Sequence, residues 1–241
     1  MLPLERQNEI LRLLSEQQAI TVEELCSRLY SSGATIRRDL TILDNAGLIR
    51  RTHGGAVYID SNTTDFPMPL RETENIEQKE RLVQKALPLI HDGQTLFLDS
   101  SSTVCRLARH LKSYGNLRVI TNSLKTANIL AELGNIDIYC TGGRLREGAM
   151  SFVGAQAQHF IQQFSADYAF ISCRGIHPHA GITDADENEA QIKRLYMLNA
   201  AQTVLLCDSS KLGKRGFCRI ADVDDVHHII TDGVLSQEYR T

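Results

Sequence analysis

Six short apolar runs, TLFLD (95–99), LRVIT (117–121), IDIYCT (136–141), DYAFIS (167–172), TVLLCD (203–208) and HHIIT (227–231), recur along the chain, mostly separated by segments of helix length. Runs this continuously apolar make strands buried on both faces. That requires helices above and below a mostly parallel sheet, and it predicts an α/β domain. Small or hydrogen-bonding residues follow five of the runs: Asp99-Ser100-Ser101-Ser102-Thr103, Thr121-Asn122-Ser123, Thr141-Gly142-Gly143, Ser172-Cys173-Arg174-Gly175 and Asp208-Ser209-Ser210-Lys211. Any one of these loops reads equally well as a helix cap or a turn. Parallel strands, however, bring all of them to one end of the sheet, where open α/β sheets bind ligands and helix N-termini present free N–H groups. Hydroxyls, glycines and amides gathered there suit a phosphorylated, hydroxyl-rich small molecule.

Residues 1–58 follow a different pattern. Leu4, Ile10, Leu11, Leu13 and Leu14 recur near helical spacing and predict a helix over about 4–16. Thr21-Val22-Glu23-Glu24 is a capping box that opens a short helix through Leu29. Ser32 then caps a third helix whose buried face is Ile36, Leu40 and Leu43 and which stops at Gly47. Beyond it, LIRRT, a turn containing His53, and AVYI read as a two-stranded hairpin. Together these make a winged helix-turn-helix, with Ser32, Thr35, Arg37, Arg38 and Thr41 at the outer side of the third helix and Arg50 and Arg51 on the wing.

The segment holds seven Lys+Arg and seven Asp+Glu and is neutral, in a chain of net charge −3. Its arginines are nevertheless segregated onto the third helix and the wing, where a planar guanidinium can take a phosphate or a guanine edge. The competing reading makes them solvated surface charges paired with Asp39 and Asp44.

Between the two patterns, residues 59–78 combine two prolines with polar residues and read as a linker, with a helix resuming near Lys79 and disturbed by Pro88. The expected organisation is therefore 1–58, a linker over 59–78, and 79–241. With 42% hydrophobic and 23% charged residues, the composition is that of a globular protein. No apolar window approaches the roughly 18 residues of a membrane span, and MLPLERQNEI lacks the layout of a signal peptide, so a cytoplasmic protein is expected. The six cysteines are scattered singly and read as small buried residues.

Thr35-Ile36-Arg37-Arg38-Asp39-Leu40, followed by Arg51-Thr52-His53-Gly54-Gly55-Ala56, resembles the N-terminal signature of the DeoR family of bacterial transcription regulators. DSSSTV, TNS, TGG, GITDADENEAQIKR and DSSK resemble that family's sensor domain, itself similar to ribose-5-phosphate isomerase. The resemblance implies double-stranded operator DNA as a partner, control by a sugar phosphate, repression of a carbohydrate-use operon, and assembly as a dimer or tetramer. It also implies that Ser100, Ser102 and Thr103 hold phosphate, that Asp99 and Asn122 lie near sugar hydroxyls, and that Glu189, Lys193 and Lys211 supply charge. Glu189 and Lys193 are equally spaced for an ordinary helical ion pair. Three departures stand out: Tyr30-Ser31 in the turn before Ser32, Ser101 where many relatives have glycine, and Cys173-Arg174.

A sugar-phosphate isomerase is the rival from another class, since Asp99, Glu189 or Lys193 could serve as a base. Such an enzyme has no use for a DNA-reading head, and the isomerase's glycine-rich lysine loop is not evident. His177-Pro178-His179 and His227-His228 lack the spacing of a zinc site, so neither a metal nor a cofactor is expected.

Overall fold

The computed structural model describes residues 1–58 and 66–239. The chain divides into two compact units, Met1–Glu74 and Asn75–Thr241. The first begins with α1 (Pro3–Gln17), which buries Ile10, Leu11, Leu13 and Leu14. After it come β1 (Ala19–Thr21) and α2 (Val22–Leu29). The capping box forms: Thr21 Oγ1 accepts from the Glu24 N–H at 3.2 Å while Glu24 accepts from the Thr21 N–H at 2.9 Å. Helix α3 (Gly33–Asn45) starts at Ser32, whose hydroxyl accepts from the Thr35 N–H at 3.2 Å. Ile36, Leu40 and Leu43 join Ile10, Leu14 and Leu25 in one core.

The wing is β2 (Ile49–Arg51) antiparallel to β3 (Gly55–Tyr58). Sequence reasoning made it two-stranded, but β1 pairs along the other side of β3 and gives the order β1-β3-β2. Three residues are too few for β1 to show an alternating pattern. Gly55 lies where β1 and β3 approach: a Cβ there would sit 2.1 Å from the Ile20 carbonyl oxygen and 2.8 Å from Thr21 Cα. Gly55→Ala is therefore expected to destabilise this unit by about 1–2 kcal/mol, because backbone must move to admit the methyl group. Chemical denaturation of the full chain, read at the transition of the first unit, measures it.

Part of the expected linker is ordered chain. Residues 59–65 lie outside the described residues, but Phe66 and Leu70 are buried in the first unit's core, and α4 (Met68–Thr73) packs on α1. Pro67 and Pro69, which suggested irregular chain, sit at the first turn of this helix, where proline's missing N–H costs nothing.

In the second unit, α5 (Ile76–Ala86) begins three residues before the expected Lys79 and gives way to a 3-10 turn at Leu87–Leu89, around Pro88. Next come β4 (Thr95–Leu98), α6 (Ser102–Ala108), β5 (Arg118–Thr121), α7 (Leu124–Leu133) and β6 (Asp137–Cys140). A hairpin of β7 (Arg144–Arg146) and β8 (Ser151–Val153) precedes α8 (Ala155–Ile161) and β9 (Ala166–Ile171). The chain continues through β10 (Gly175–His177), β11 (Gly181–Asp184), α9 (Glu187–Leu198), β12 (Ala200–Leu206), β13 (Cys218–Ala221) and β14 (His228–Ile230).

The predicted runs form one six-stranded sheet, order β14-β12-β9-β4-β5-β6, with every pairing parallel. Alternate residues serve opposite faces. Leu96, Leu98, Phe170, Val204 and Leu206 meet α5, α6 and Leu130 of α7, while Phe97, Ile171 and Leu205 meet Ala157 and Ile161 of α8 and Ala190, Ile192 and Tyr196 of α9. Two features were not foreseen, the β7–β8 hairpin and a small antiparallel sheet of β10, β11 and β13. Of the cysteines, Cys105, Cys173 and Cys207 are buried as expected, but Cys140 is exposed and Cys26 and Cys218 are half-buried.

Candidate functional site

On α3, Arg37 and Arg38 are exposed, and among the described residues neither guanidinium has a hydrogen-bonding or ionic partner. The acids that might have neutralised them are committed elsewhere. Asp39 is buried and binds Arg6 of α1 at 2.5 Å and the Gln7 amide at 3.1 Å, so it fastens α3 to α1. Asp44 accepts the Arg51 backbone N–H at 3.0 Å. Ser32 and Thr35 share a hydroxyl contact of 2.9 Å at the start of α3, and His53 is exposed in the wing turn.

The wing pair divides. Arg51 Nη1 reaches the Thr41 hydroxyl at 2.7 Å, on the same face of β2 as buried Ile49. Arg50, one residue along the strand, points to the opposite face. Thr41 is thereby a bridge between helix and wing, since it also donates to the Arg37 carbonyl at 2.8 Å. Tyr30 ends α2 in a left-handed conformation, φ 47°, and stays 96% exposed, so it fills no gap between α2 and α3.

At the carboxyl ends of the parallel strands, the loops of β4, β5, β9 and β12 converge with the start of α9. Asp99, fully buried, accepts from the Ser101 N–H at 2.9 Å and the Ser172 N–H at 2.8 Å and lies 3.4 Å from Lys193. Lys193 also forms a short ion pair with Asp184. Burial alone would lower the Lys193 pKa, but Asp184 and Asp99 outweigh it and hold the ammonium above its ordinary value. No ion pair joins Glu189 to Lys193. Glu189 instead accepts from Ser100 at 2.7 Å, from Asn122 at 3.4 Å, from Arg146 at 2.9 Å and, at short range, from Ser151.

Lys211 donates to the Ser172 hydroxyl at 3.0 Å and pairs with Asp208 at 3.5 Å. Burial would raise Asp208, yet Lys211, the Ser210 hydroxyl and Lys79 hold it below the usual carboxylate range. Lys211 is raised: burial opposes its charge, and Asp208 overcomes that.

Several expected residues have local tasks. Ser101 caps α6 by accepting from the Val104 N–H at 3.2 Å. Thr121 donates to the Leu98 carbonyl at 2.7 Å and accepts from the Ser123 N–H at 3.0 Å. Thr141, Gly142 and Gly143 turn the chain from β6 into β7, both glycines at positive φ, and the Thr141 N–H donates to the Thr121 carbonyl at 3.1 Å. Ser102 and Thr103 are buried beside the cluster, and the Thr103 hydroxyl has no hydrogen-bonding partner among the described residues.

Sequence reasoning missed Arg146, Ser151 and Tyr196. Arg146, from the unforeseen hairpin, reaches Asp186 at 3.2 Å as well as Glu189. The Tyr196 hydroxyl donates to Asn122 Oδ1 at 3.4 Å, its ring stacked on Phe97. Tyr196 lies seven residues after Glu189, two helical turns on, a spacing that could have signalled a shared face.

Among the described residues there is no cluster of three or more metal-ligating side chains, and no helix is long and apolar enough to cross a membrane. Family models match both units: a DeoR-like helix-turn-helix domain over residues 6–62 and a DeoR C-terminal sensor domain over 74–233. The chain is 36% identical over 240 residues to the HTH-type transcriptional regulator GlpR of Haloferax volcanii, covering 100% of this chain and 94% of that one. It is 33% identical over 228 residues to the glycerol-3-phosphate regulon repressor of Escherichia coli, covering 95% and 90%. A partial likeness, TM-score 0.44 at 16% identity over 57% of this chain and 54% of the other, links it to a D-ribose-5-phosphate isomerase solved with phospho-erythronic acid. Both units and nearly the whole length thus match regulators, and the chain belongs to the DeoR family of DNA-binding transcription regulators.

Proposed function

We propose that the protein is a cytoplasmic repressor of a carbohydrate-use operon that reads its operator with α3 and the wing, with an operator affinity controlled by a phosphorylated sugar. Arg37 and Arg38 contact the major groove, while Arg50, Arg51 and His53 contact the backbone. One α3 reads a short site, so two copies on paired half-sites are expected, as a dimer or tetramer. The observation that carries the effector reading is the buried polar cluster at the strand ends. Its hydroxyls and carboxylates suit sugar hydroxyls, and Lys211 together with the partnerless Thr103 hydroxyl suits phosphate.

A thermal-shift panel of sugar phosphates, free sugars and non-sugar phosphates tests it on the full chain. A phosphosugar at a hundred times its dissociation constant stabilises the native state by about 2.7 kcal/mol, which corresponds to roughly 5 °C or more for a unit of this size. Thr103→Val should remove most of that shift. A response to free sugars alone would overturn the phosphate assignment, and a phosphosugar that shifts melting but leaves operator affinity unchanged would overturn its role as effector.

A further inference from the structure

Two buried thiols lie beneath the cluster and take no part in the binding just described. Cys173 and Cys207 follow β9 and β12, which are adjacent and parallel, with Ile171 opposite Leu205. Continuing that register by two residues sets Cys173 opposite Cys207, and both side chains face the same core. The sulfurs are 3.8 Å apart. Neighbouring strands run about 4.8 Å apart, inside the Cα separation of roughly 4.4–6.8 Å that a disulfide spans. Closing the sulfurs to the roughly 2.05 Å of a disulfide takes side-chain rotation and a small approach of the two loops.

The two thiols are not equivalent. Cys173 keeps 6% of its surface accessible while Cys207 is sealed. The hydrogen bond with Cys207, opposed by burial and assisted by Lys211 and Lys193, holds the Cys173 thiol below its ordinary pKa, whereas Cys207 is pushed well above. Cys173 is thus the sulfur an incoming oxidant meets first.

We infer that Cys173 and Cys207 form an oxidisable dithiol, which a hydroperoxide converts to a disulfide joining the loop that carries Ser172 to the loop that carries Asp208 and Lys211. The Cys173 thiolate attacks the terminal peroxide oxygen. The O–O bond breaks, and the departing alkoxide or hydroxide takes up the proton released from Cys173. Cys207 then attacks the resulting sulfenic sulfur, gives up its proton, and expels hydroxide as water. Two thiols lose two electrons and the peroxide gains them. The disulfide draws together the backbone on either side of the contact between Lys211 and the Ser172 hydroxyl. Only its consequence for an effector rests on the reading given above.

Hydrogen peroxide titration of the full chain, followed by non-reducing peptide mapping, is the test. The expected result is loss of two of the six thiols, a peptide containing Cys173 linked to one containing Cys207, unchanged circular dichroism, and reversal by dithiothreitol. Cys207→Ala should leave a sulfenic acid at Cys173 that dimedone traps, and Cys173→Ser should leave Cys207 unreactive. Consumption of exposed Cys140 with no link between Cys173 and Cys207 would overturn the proposal, as would a link that appears only once the chain has unfolded. Hydrogen exchange then reads the loops directly. Amides in 172–175 and 207–211 should slow at least tenfold in the oxidised chain, whatever the effector proves to be, and unchanged exchange there would remove the connection to the cluster.

Discussion

Lys193→Met is expected to destabilise the second unit by about 3–5 kcal/mol, the cost of leaving buried carboxylates without their counter-charge. Methionine keeps the length and much of the apolar stem, so lost packing contributes little. What remains is Asp99, fully buried, and Asp184, 8% exposed, facing each other across the position the ammonium held. Against a total stability of roughly 5–15 kcal/mol for a domain, that is a large fraction. Chemical denaturation of the full chain at neutral pH, read at the second unit's transition, measures it, and a loss below about 1 kcal/mol would mean the pair behaves like a solvated surface contact.

Adding Asp184→Asn should restore part of the loss, with a coupling of about 1–3 kcal/mol between the two sites. Because Lys193 is held above its ordinary pKa, its contribution is complete at neutral pH. It declines only as pH climbs from the ordinary lysine range through the raised value. Salt should change it little, since the pair is buried.

The double variant Arg37→Ala/Arg38→Ala is expected to lose about 2–4 kcal/mol of operator affinity, roughly 30- to 1000-fold. Both side chains are exposed and, among the described residues, without partners, so the first unit should melt as before. Any contact to phosphate among them would also flatten the dependence of affinity on salt. Fluorescence anisotropy on a footprinted operator fragment over a range of salt concentrations measures both. Unchanged affinity in a folded variant would remove α3 from the DNA interface. Arg51→Ala is a less clean probe, because Arg51 also holds Thr41.

The main sheet was legible because its signal is local: each buried strand writes its own apolar run, and the residue after each run announces a turn. The capping residues Thr21 and Ser32 were legible for the same reason, since a cap contacts backbone only three residues away. What escaped depends on distant pairing. Strand β1 is defined by its partner β3, and the antiparallel sheet of β10, β11 and β13 joins segments some forty residues apart. In the sequence Asp39 reads as a surface neighbour of the arginines, but its partner Arg6 stands 33 positions earlier. Arg146 sits in a hairpin whose strands are three residues long, too short to show alternation. Lys193 stands out in the sequence without its true partners, because Asp184 precedes the helix and Asp99 lies in the loop after β4.

In the effector site proposed above, Lys211, the cation assigned to phosphate, is already held by Asp208, as Lys193 and Arg146 are by other carboxylates. An incoming phosphate therefore exchanges one set of charge contacts for another, and its net gain is the difference between two similar quantities. A sensor built this way would answer to abundant ligand rather than to traces of it. Its discrimination would come from shape: a molecule that places its oxygens correctly recovers the contacts it displaces, while one that misplaces them recovers nothing.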